Sequence, residues 1–192
     1  MDIKRPESQP SIPPHAKRVF KGVIFEAYQW EQELYDGSTA TFEKLKRLDT
    51  AVVLPVTTDG KIILTRQEQP GKLPFYGLAG GRIEDGEDVA AAAERELLEE
   101  TGYKAEELVL LDAQQPLSKL DWAVYTFVGK NCRKVQEQQL DAGEKISLEL
   151  VTFDEFMKIV EHEEFKEIEI ALILLRSRLD PEKMHRFREL LS

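Results

Sequence analysis

An α/β fold with an antiparallel hairpin near its N-terminus is predicted for this 192-residue chain by three observations. Short apolar runs joined by Asp36-Gly37 and Asp59-Gly60 read as strands linked by tight turns. An alanine-rich stretch, Val89-Ala90-Ala91-Ala92-Ala93, opens a segment of helical periodicity that Gly102 closes. Beyond it, strand-like and helix-like segments follow one another to the C-terminus.

Residues 1–16 hold four of the nine prolines and read as a flexible or extended arm. Arg18 to Trp30, with Val19, Val23, Phe25 and Tyr28, reads as one strand, and Ala40 to Leu45 returns after the Asp36-Gly37 turn. Ala51-Val52-Val53-Leu54-Pro55-Val56 is almost continuously apolar, the pattern of a strand buried on both faces. Asp59-Gly60 turns it into a second central strand, Lys61 to Arg66. A glycine-rich approach, Gly77-Leu78-Ala79-Gly80-Gly81, leads to a helix expected from about Asp88 to Glu100. Further strands are expected at Glu107 to Asp112, Trp122 to Val128 and Glu149 to Phe153. Asp154 is the expected N-cap of the next helix; another spans Lys166 to Arg178, and a charged tail helix follows Pro181. The chain divides accordingly into a hairpin-bearing extension (1–48), a main domain (49–180) and a helical tail (181–192).

Composition narrows the function. With 42% hydrophobic and 32% charged residues the chain is that of a soluble globular protein, long enough for one sizeable core. A formal charge of −10 argues against a general binder of nucleic acid or anionic membrane. Cys132 is the one cysteine, which excludes an intramolecular disulfide and fits a reducing, cytoplasmic setting. The opening Met1-Asp2-Ile3-Lys4-Arg5-Pro6 leads into no apolar segment, so neither a signal peptide nor a membrane span is expected. His15, His162 and His185 are scattered without metal-ligand spacing and read as surface histidines.

The acidic helix carries the chemistry. At roughly 100° per residue, Glu96, Glu99 and Glu100 fall within about a third of its circumference. Three carboxylates so placed repel, and like pairs at i,i+4 cost a few tenths of a kcal/mol even when exposed. A cation resolves the conflict. Hard oxygen donors on one face suit Mg²⁺ or Mn²⁺, which also bridge substrate phosphates. An ordinary surface helix with a solvated acidic face would not require the flanking glycines or Arg95.

The spacing Gly-x5-Glu-x7-Arg-Glu-apolar-x-Glu-Glu-x-Gly is filled by Gly81, Glu87, Arg95, Glu96, Leu97, Glu99, Glu100 and Gly102. It resembles the Nudix box, with Tyr103 where a bulky aliphatic residue is usual. The N-terminal hairpin, the strand ending Thr65-Arg66-Gln67-Glu68-Gln69 and the C-terminal pattern resemble the ADP-ribose and nucleotide-sugar pyrophosphatase branch, over most of residues 18–178. Two departures fall where substrate is usually contacted. Gly77-Leu78-Ala79-Gly80 replaces Glu-Leu-Pro-Ala, and Gln69 stands where an arginine is common. The resemblance implies a Nudix-type α/β/α sandwich with a mixed central sheet and an N-terminal antiparallel β extension. It also implies a homodimer made by exchanged N-terminal strands that build part of the substrate site. The implied reaction is metal-dependent hydrolysis of a nucleoside diphosphate linked to another group, ADP-ribose or a nucleotide sugar, to a nucleoside monophosphate and a sugar phosphate. A nucleoside triphosphate or dinucleoside polyphosphate pyrophosphohydrolase is one alternative, disfavoured by the hairpin. A non-catalytic nucleotide-sugar sensor is another, disfavoured by the intact glutamates.

Residue by residue, the resemblance implies Mg²⁺ or Mn²⁺ held by Glu96, Glu99, Glu100 and the carbonyl of Gly80, with Arg95 orienting the glutamates. Arg95 lies four residues before Glu99 and can bridge to it. Glu87 opens the helix, where a carboxylate favours the positive end of the dipole. In the segment Gln138 to Ile146, Glu144 is the candidate general base, with Glu137 and Asp141 in reserve. Arg66 suits a phosphate by its two-pronged geometry and equally suits a structural ion pair; Gln67 joins it as a substrate-binding candidate. Phe75, Tyr76 and Trp122 are candidates for stacking on a nucleobase, core packing being the competing reading for Trp122 and Tyr125. The expected partners are a small nucleoside diphosphate and a second copy of the chain, with neither nucleic acid nor membrane.

Overall fold

The computed structural model describes residues 3–140 and 142–191. In chain order the strands are β1 Lys17–Lys21, β2 Glu26–Glu33, β3 Thr39–Lys46, β4 Thr50–Thr57, β5 Ile62–Glu68, β6 Phe75–Gly77 and β7 Ala79–Arg82. Helix α1, Val89–Thr101, follows, then β8 Tyr103–Lys104, β9 Glu107–Gln114, β10 Leu120–Asp121, β11 Val124–Lys134 and β12 Lys145–Val151. Helices α2 Phe153–Val160, α3 Ile168–Arg178 and α4 Pro181–Leu190 complete the chain.

The central sheet runs β12-β5-β4-β11-β8, with β6, β7 and β9 paired to β5, β4 and β11. It is mixed, because β11 lies parallel to β4 while β5, β7 and β9 pair antiparallel with their neighbours. Strand β4 explains the layering. Ala51 and Val53 pack with Ala92, Ala93 and Leu97 of α1 in one cluster. Val52, Leu54 and Val56 pack with Phe156, Ile170, Leu174 and Phe187 of α2, α3 and α4 in the other. Alternate residues of one strand thus feed two cores, the condition for a continuously apolar strand. The result is the expected α/β/α sandwich, with β1-β2-β3-β10 as a separate, largely antiparallel sheet.

Three local expectations are corrected. The run from Arg18 to Trp30 is two strands, since Gly22 N–H donates to Phe25 O and folds the chain back between β1 and β2. Helix α2 is capped by Thr152 and not by Asp154: Thr152 and Glu155 form a reciprocal capping box. The strand expected at Glu149 to Phe153 begins earlier, at Lys145, and ends at Val151. Within the described residues the N-terminal arm bends and turns along the fold and is held to it. Arg5 binds Asp49 through two nitrogens and reaches Asp121 at 2.8 Å, while the buried Lys44 ammonium donates to Ser8 Oγ and to Pro10 O.

Candidate active site

Helix α1 starts where expected because Asp88 caps it, accepting from the Ala90 and Ala91 amides at 3.0 and 3.1 Å. It ends at Gly102, which adopts φ 74° and donates its N–H to Leu98 O. Between these stops the helix turns Glu96 and Glu100 toward β7, where Gly81 leaves room for the Glu96 carboxylate that a Cβ would strike.

Arg95 gathers the acids. Its Nε and Nη2 donate to the two oxygens of Glu87 at 2.9 and 3.0 Å, and Nη1 to Glu96 at 2.8 Å and Glu99 at 3.2 Å. A further bond from Nη2 to Arg82 O ties helix to loop at 3.0 Å. Glu87 therefore does more than sit at the positive end of the helix: it is the two-pronged partner that fixes the guanidinium. That bond holds the Glu87 carboxyl below the usual range and raises Arg95 above its own. On the far side, Glu100 is buried and accepts the Gly80 N–H at 3.1 Å. Burial pushes its carboxyl up to about 9, with the Glu96 and Glu144 charges adding to the rise. Burial likewise raises Glu96, against the pull of Arg95.

Glu96, Glu99, Glu100 and Glu144 line one cleft of about 190 Å³ with Gly80 and Arg82. Glu144 arrives from far along the chain because its loop is docked on the end of α1. The Val135 and Gln136 amides donate to Gly102 O, the Gln139 amide to Glu99 O, and the Gln138 side chain to Glu100 O. Gly102 is squeezed by this loop, and a Cβ there would strike Gln136 O. Gly102→Ala is thus expected to cost about 1–2 kcal/mol in left-handed strain alone, more with the clash, and to lower turnover by displacing the Glu144 loop. Urea unfolding and steady-state kinetics check this; an unaltered midpoint would overturn the strain argument, and unaltered turnover would show that the Glu144 loop is not displaced. Asp141 lies outside the described residues, and Glu137 pairs with Lys134 at 2.8 Å.

The other candidates lie away from the cleft walls. Arg66 Nη1 donates to Glu164 at 2.8 Å and its guanidinium sits 4.5 Å from the Tyr76 ring centre. Gln67 donates to Thr65 Oγ1 at 3.0 Å, and β6 places Phe75 opposite it. Trp122 belongs to a different neighbourhood: its indole N–H donates to Thr50 Oγ1 at 2.9 Å and its ring faces Arg47 at 5.0 Å. Tyr125 is buried in the core. Sequence reasoning passed over Arg47. Its guanidinium lies 5.9 Å from the Phe25 ring centre and 5.0 Å from that of Trp122, near Arg82, and its buried Nε has no hydrogen-bond partner among the described residues. The signal available was only an arginine just before a buried strand. A wider concavity, about 960 Å³, is formed by the N-terminal arm beside Tyr28 and Lys46 and is not lined by Glu96, Glu99, Glu100 or Glu144.

Among the described residues no three His, Cys, Asp or Glu side chains converge as a ready-made ion cage. The donor set nevertheless fits a hard divalent cation. It consists of oxygens, two of its carboxylates are driven toward protonation by burial, and Arg95 neutralises the Glu87 edge of the cluster more than the Glu100 edge. Glu96, Glu99, Glu100 and the Gly80 carbonyl could hold such an ion.

A carboxylate-lined cleft at the end of a mixed sheet, framed by a glycine strand and an arginine-bridged acidic helix, defines a class of pyrophosphate-cleaving enzymes. The NUDIX domain model matches residues 46–171, and the chain belongs to that family as a Nudix pyrophosphohydrolase. It is 30% identical over 158 residues to the ADP-ribose pyrophosphatase of Bacillus subtilis (strain 168), covering 81% of this chain and 85% of that one. It is 27% identical over 147 residues to the methanol dehydrogenase activator of Bacillus methanolicus, covering 75% and 80%. A crystal structure of an ADP compounds hydrolase superposes with a TM-score of 0.71 at 22% identity, covering 96% of this chain and 99% of that one, which shows the shared fold. Among the described residues no helix is long and apolar enough to cross a membrane.

Proposed function

We propose that this enzyme hydrolyses the pyrophosphate bond of ADP-ribose or a related nucleotide sugar, giving a nucleoside monophosphate and a sugar phosphate. The observation that carries the reading is the cleft that Glu96, Glu99, Glu100 and Glu144 line together with Gly80. The relationship to an ADP-ribose pyrophosphatase supports the substrate class. Glu96, Glu99, Glu100 and the Gly80 carbonyl would hold Mg²⁺ or Mn²⁺, which supplies charge stabilisation for the diphosphate and a more acidic water. Glu144 accepts the proton of the attacking water at its carboxylate. Arg95 keeps Glu96 and Glu99 in place through the bonds described above. Arg82, on the cleft wall, and Arg47 behind it give an otherwise acidic surface local positive charge for a diphosphate. Phe75, Arg66 and Gln67 at the β5–β6 edge, and Trp122 on the Arg47 side, are the proposed contacts to the rest of the substrate.

A panel of ADP-ribose, other nucleoside diphosphate sugars, nucleoside triphosphates and dinucleoside polyphosphates, scored for products with and without Mg²⁺ and Mn²⁺, tests the assignment. Hydrolysis of the first two groups is expected, at least about tenfold faster in kcat/KM than of the others, a difference of 1.4 kcal/mol in transition-state binding. Faster triphosphate hydrolysis would move the enzyme to another branch.

The extension 1–48 is proposed to pair two copies. Val19, Phe20, Val23 and Ile24 are exposed on and beside β1, Val23 at 96%, an apolar edge of the kind that marks an interface. Phe20→Glu/Val23→Glu is expected to lower the mass in light scattering from twice 22.0 kDa to the chain mass. A wild-type monomer would end the dimer reading.

A further inference from the structure

The segment from Gly77 to Gly80 leads to the cleft, which Gly80 lines, and passes two carboxylates, Glu167 beside Gly77 and Glu100 beside Gly80. Glu100 Oε2 accepts the Gly80 N–H at 3.1 Å. Glu167 stands at the N-cap of α3 yet makes no capping hydrogen bond there. Its side chain turns instead to the strand, lying beside Gly77 and close to the Leu78 amide. A Cβ added at Gly77 would lie 3.2 Å from Glu167 Oε1 and 3.3 Å from both Gln67 Nε2 and Thr65 Oγ1. The Glu167 carboxylate thus uses the room that a glycine leaves.

The placement is secured by backbone. Tyr76 N–H donates to Glu164 O at 2.8 Å and Lys166 N–H to Tyr76 O at 2.9 Å, so the chain before α3 runs as a parallel bridge along β6. Burial holds the Glu167 carboxyl up at about 7, and the Glu169 charge adds to the rise. An N-cap carboxylate facing water would bear neither cost, and would gain the helix amides as donors. The arrangement therefore serves the strand and not the helix.

We propose that Glu167 is a positioning residue of the hydrolytic site: it fixes the Leu78 amide as Glu100 fixes that of Gly80, so that the Gly80 carbonyl is presented to the cleft. The role rests on the reading of Gly80 and Glu100 as ligands of a divalent ion. When Glu100 turns its oxygens to that ion, Glu167 is the carboxylate left to hold the strand. Its effect passes through the backbone of residues 77–80, without contact to substrate.

Two measurements test the proposal: amide hydrogen exchange at Leu78 and Gly80 in metal-free protein, and Mn²⁺ affinity by titration calorimetry. Glu167→Ala is expected to speed exchange at Leu78 and to weaken Mn²⁺ binding, each about tenfold, the low end for partners that orient metal ligands. Glu167→Gln keeps a carbonyl acceptor and is expected to stay within about threefold of wild type on both. Gly77→Ala crowds the carboxylate, so it should weaken Mn²⁺ binding in the wild-type background and add little in Glu167→Ala. Unchanged exchange and unchanged affinity in folded Glu167→Ala overturn the proposal. If Glu167→Ala does not fold, the same pair of null results in Gly77→Ala overturns it. Absence of Mn²⁺ binding by the wild-type protein would sink the metal reading instead, leaving exchange at Leu78 to decide the clamp.

Discussion

Glu100→Gln is expected to lower kcat by about a thousandfold while leaving the fold intact. The carboxylate is buried, accepts the Gly80 amide and belongs to the set proposed to hold the metal. Losing a ligand of a charge-stabilising ion removes several kcal/mol from the transition state, at about 1.4 kcal/mol per factor of ten. Glutamine keeps an oxygen for the Gly80 N–H, so the local hydrogen bond survives. It also removes the cost of taking an ionisable carboxyl into a site where burial and the Glu96 and Glu144 carboxylates hold it protonated. Metal-free Glu100→Gln should accordingly melt at or above the wild-type temperature. Added Mg²⁺ reverses the order. An ion at a hundred times its Kd stabilises the wild-type protein by about 2.7 kcal/mol, and the variant by much less. Wild-type turnover in Glu100→Gln would remove the residue from the site, and a lower metal-free melting temperature would show its main role to be structural.

The parts of this site that could be read from sequence are those whose geometry is local. Helix periodicity alone gathers Glu96, Glu99 and Glu100, and Asp88 and Gly102 announce the helix ends by residue type. Strand β4 was legible because burial on both faces keeps Ala51 to Val56 apolar without a break. The Arg66 ambiguity between phosphate and ion pair could not be settled from sequence, because its partner Glu164 lies 98 residues away. Glu167 was missed for the same reason: its carboxylate meets Gly77 and Leu78 only through the chain crossing before α3. The break at Gly22 was hidden by apolar residues on both sides of it, Val23 among them, which are exposed and so carry no burial pattern. The capping box is a different case. Thr152-Phe153-Asp154-Glu155 spells it in the sequence, where Asp154, an aspartate two residues on, is an equally suitable cap by residue type alone.

Arg95→Ala should show the second large effect, on stability and turnover together. One guanidinium bonds Glu87, Glu96, Glu99 and the Arg82 carbonyl. Its removal leaves partly buried carboxylates facing one another without a cation, a loss of about 3 kcal/mol in the range for broken buried pairs. Turnover is expected to fall about a hundredfold, because Glu96 and Glu99 lose the group that orients them. Lysine cannot reach all four acceptors from one ammonium, so Arg95→Lys should recover part of the stability and little of the rate. The pH dependence separates this from simple loss of packing. The Glu87 carboxyl is held below its ordinary value chiefly by the bond to Arg95. A depressed carboxyl contributes stability that is present above its unfolded pKa and is lost as pH falls through its folded pKa. The Glu96 carboxyl, raised by burial, protonates earlier on the way down and relieves the variant further. The gap in urea midpoint between wild type and Arg95→Ala should therefore be widest near neutral pH and narrow below about pH 4.5, the ordinary glutamate range. A gap of constant size across that range would mean that Arg95 stabilises the fold by its apolar stem, and that the ion-pair hub is not what holds the glutamates in place.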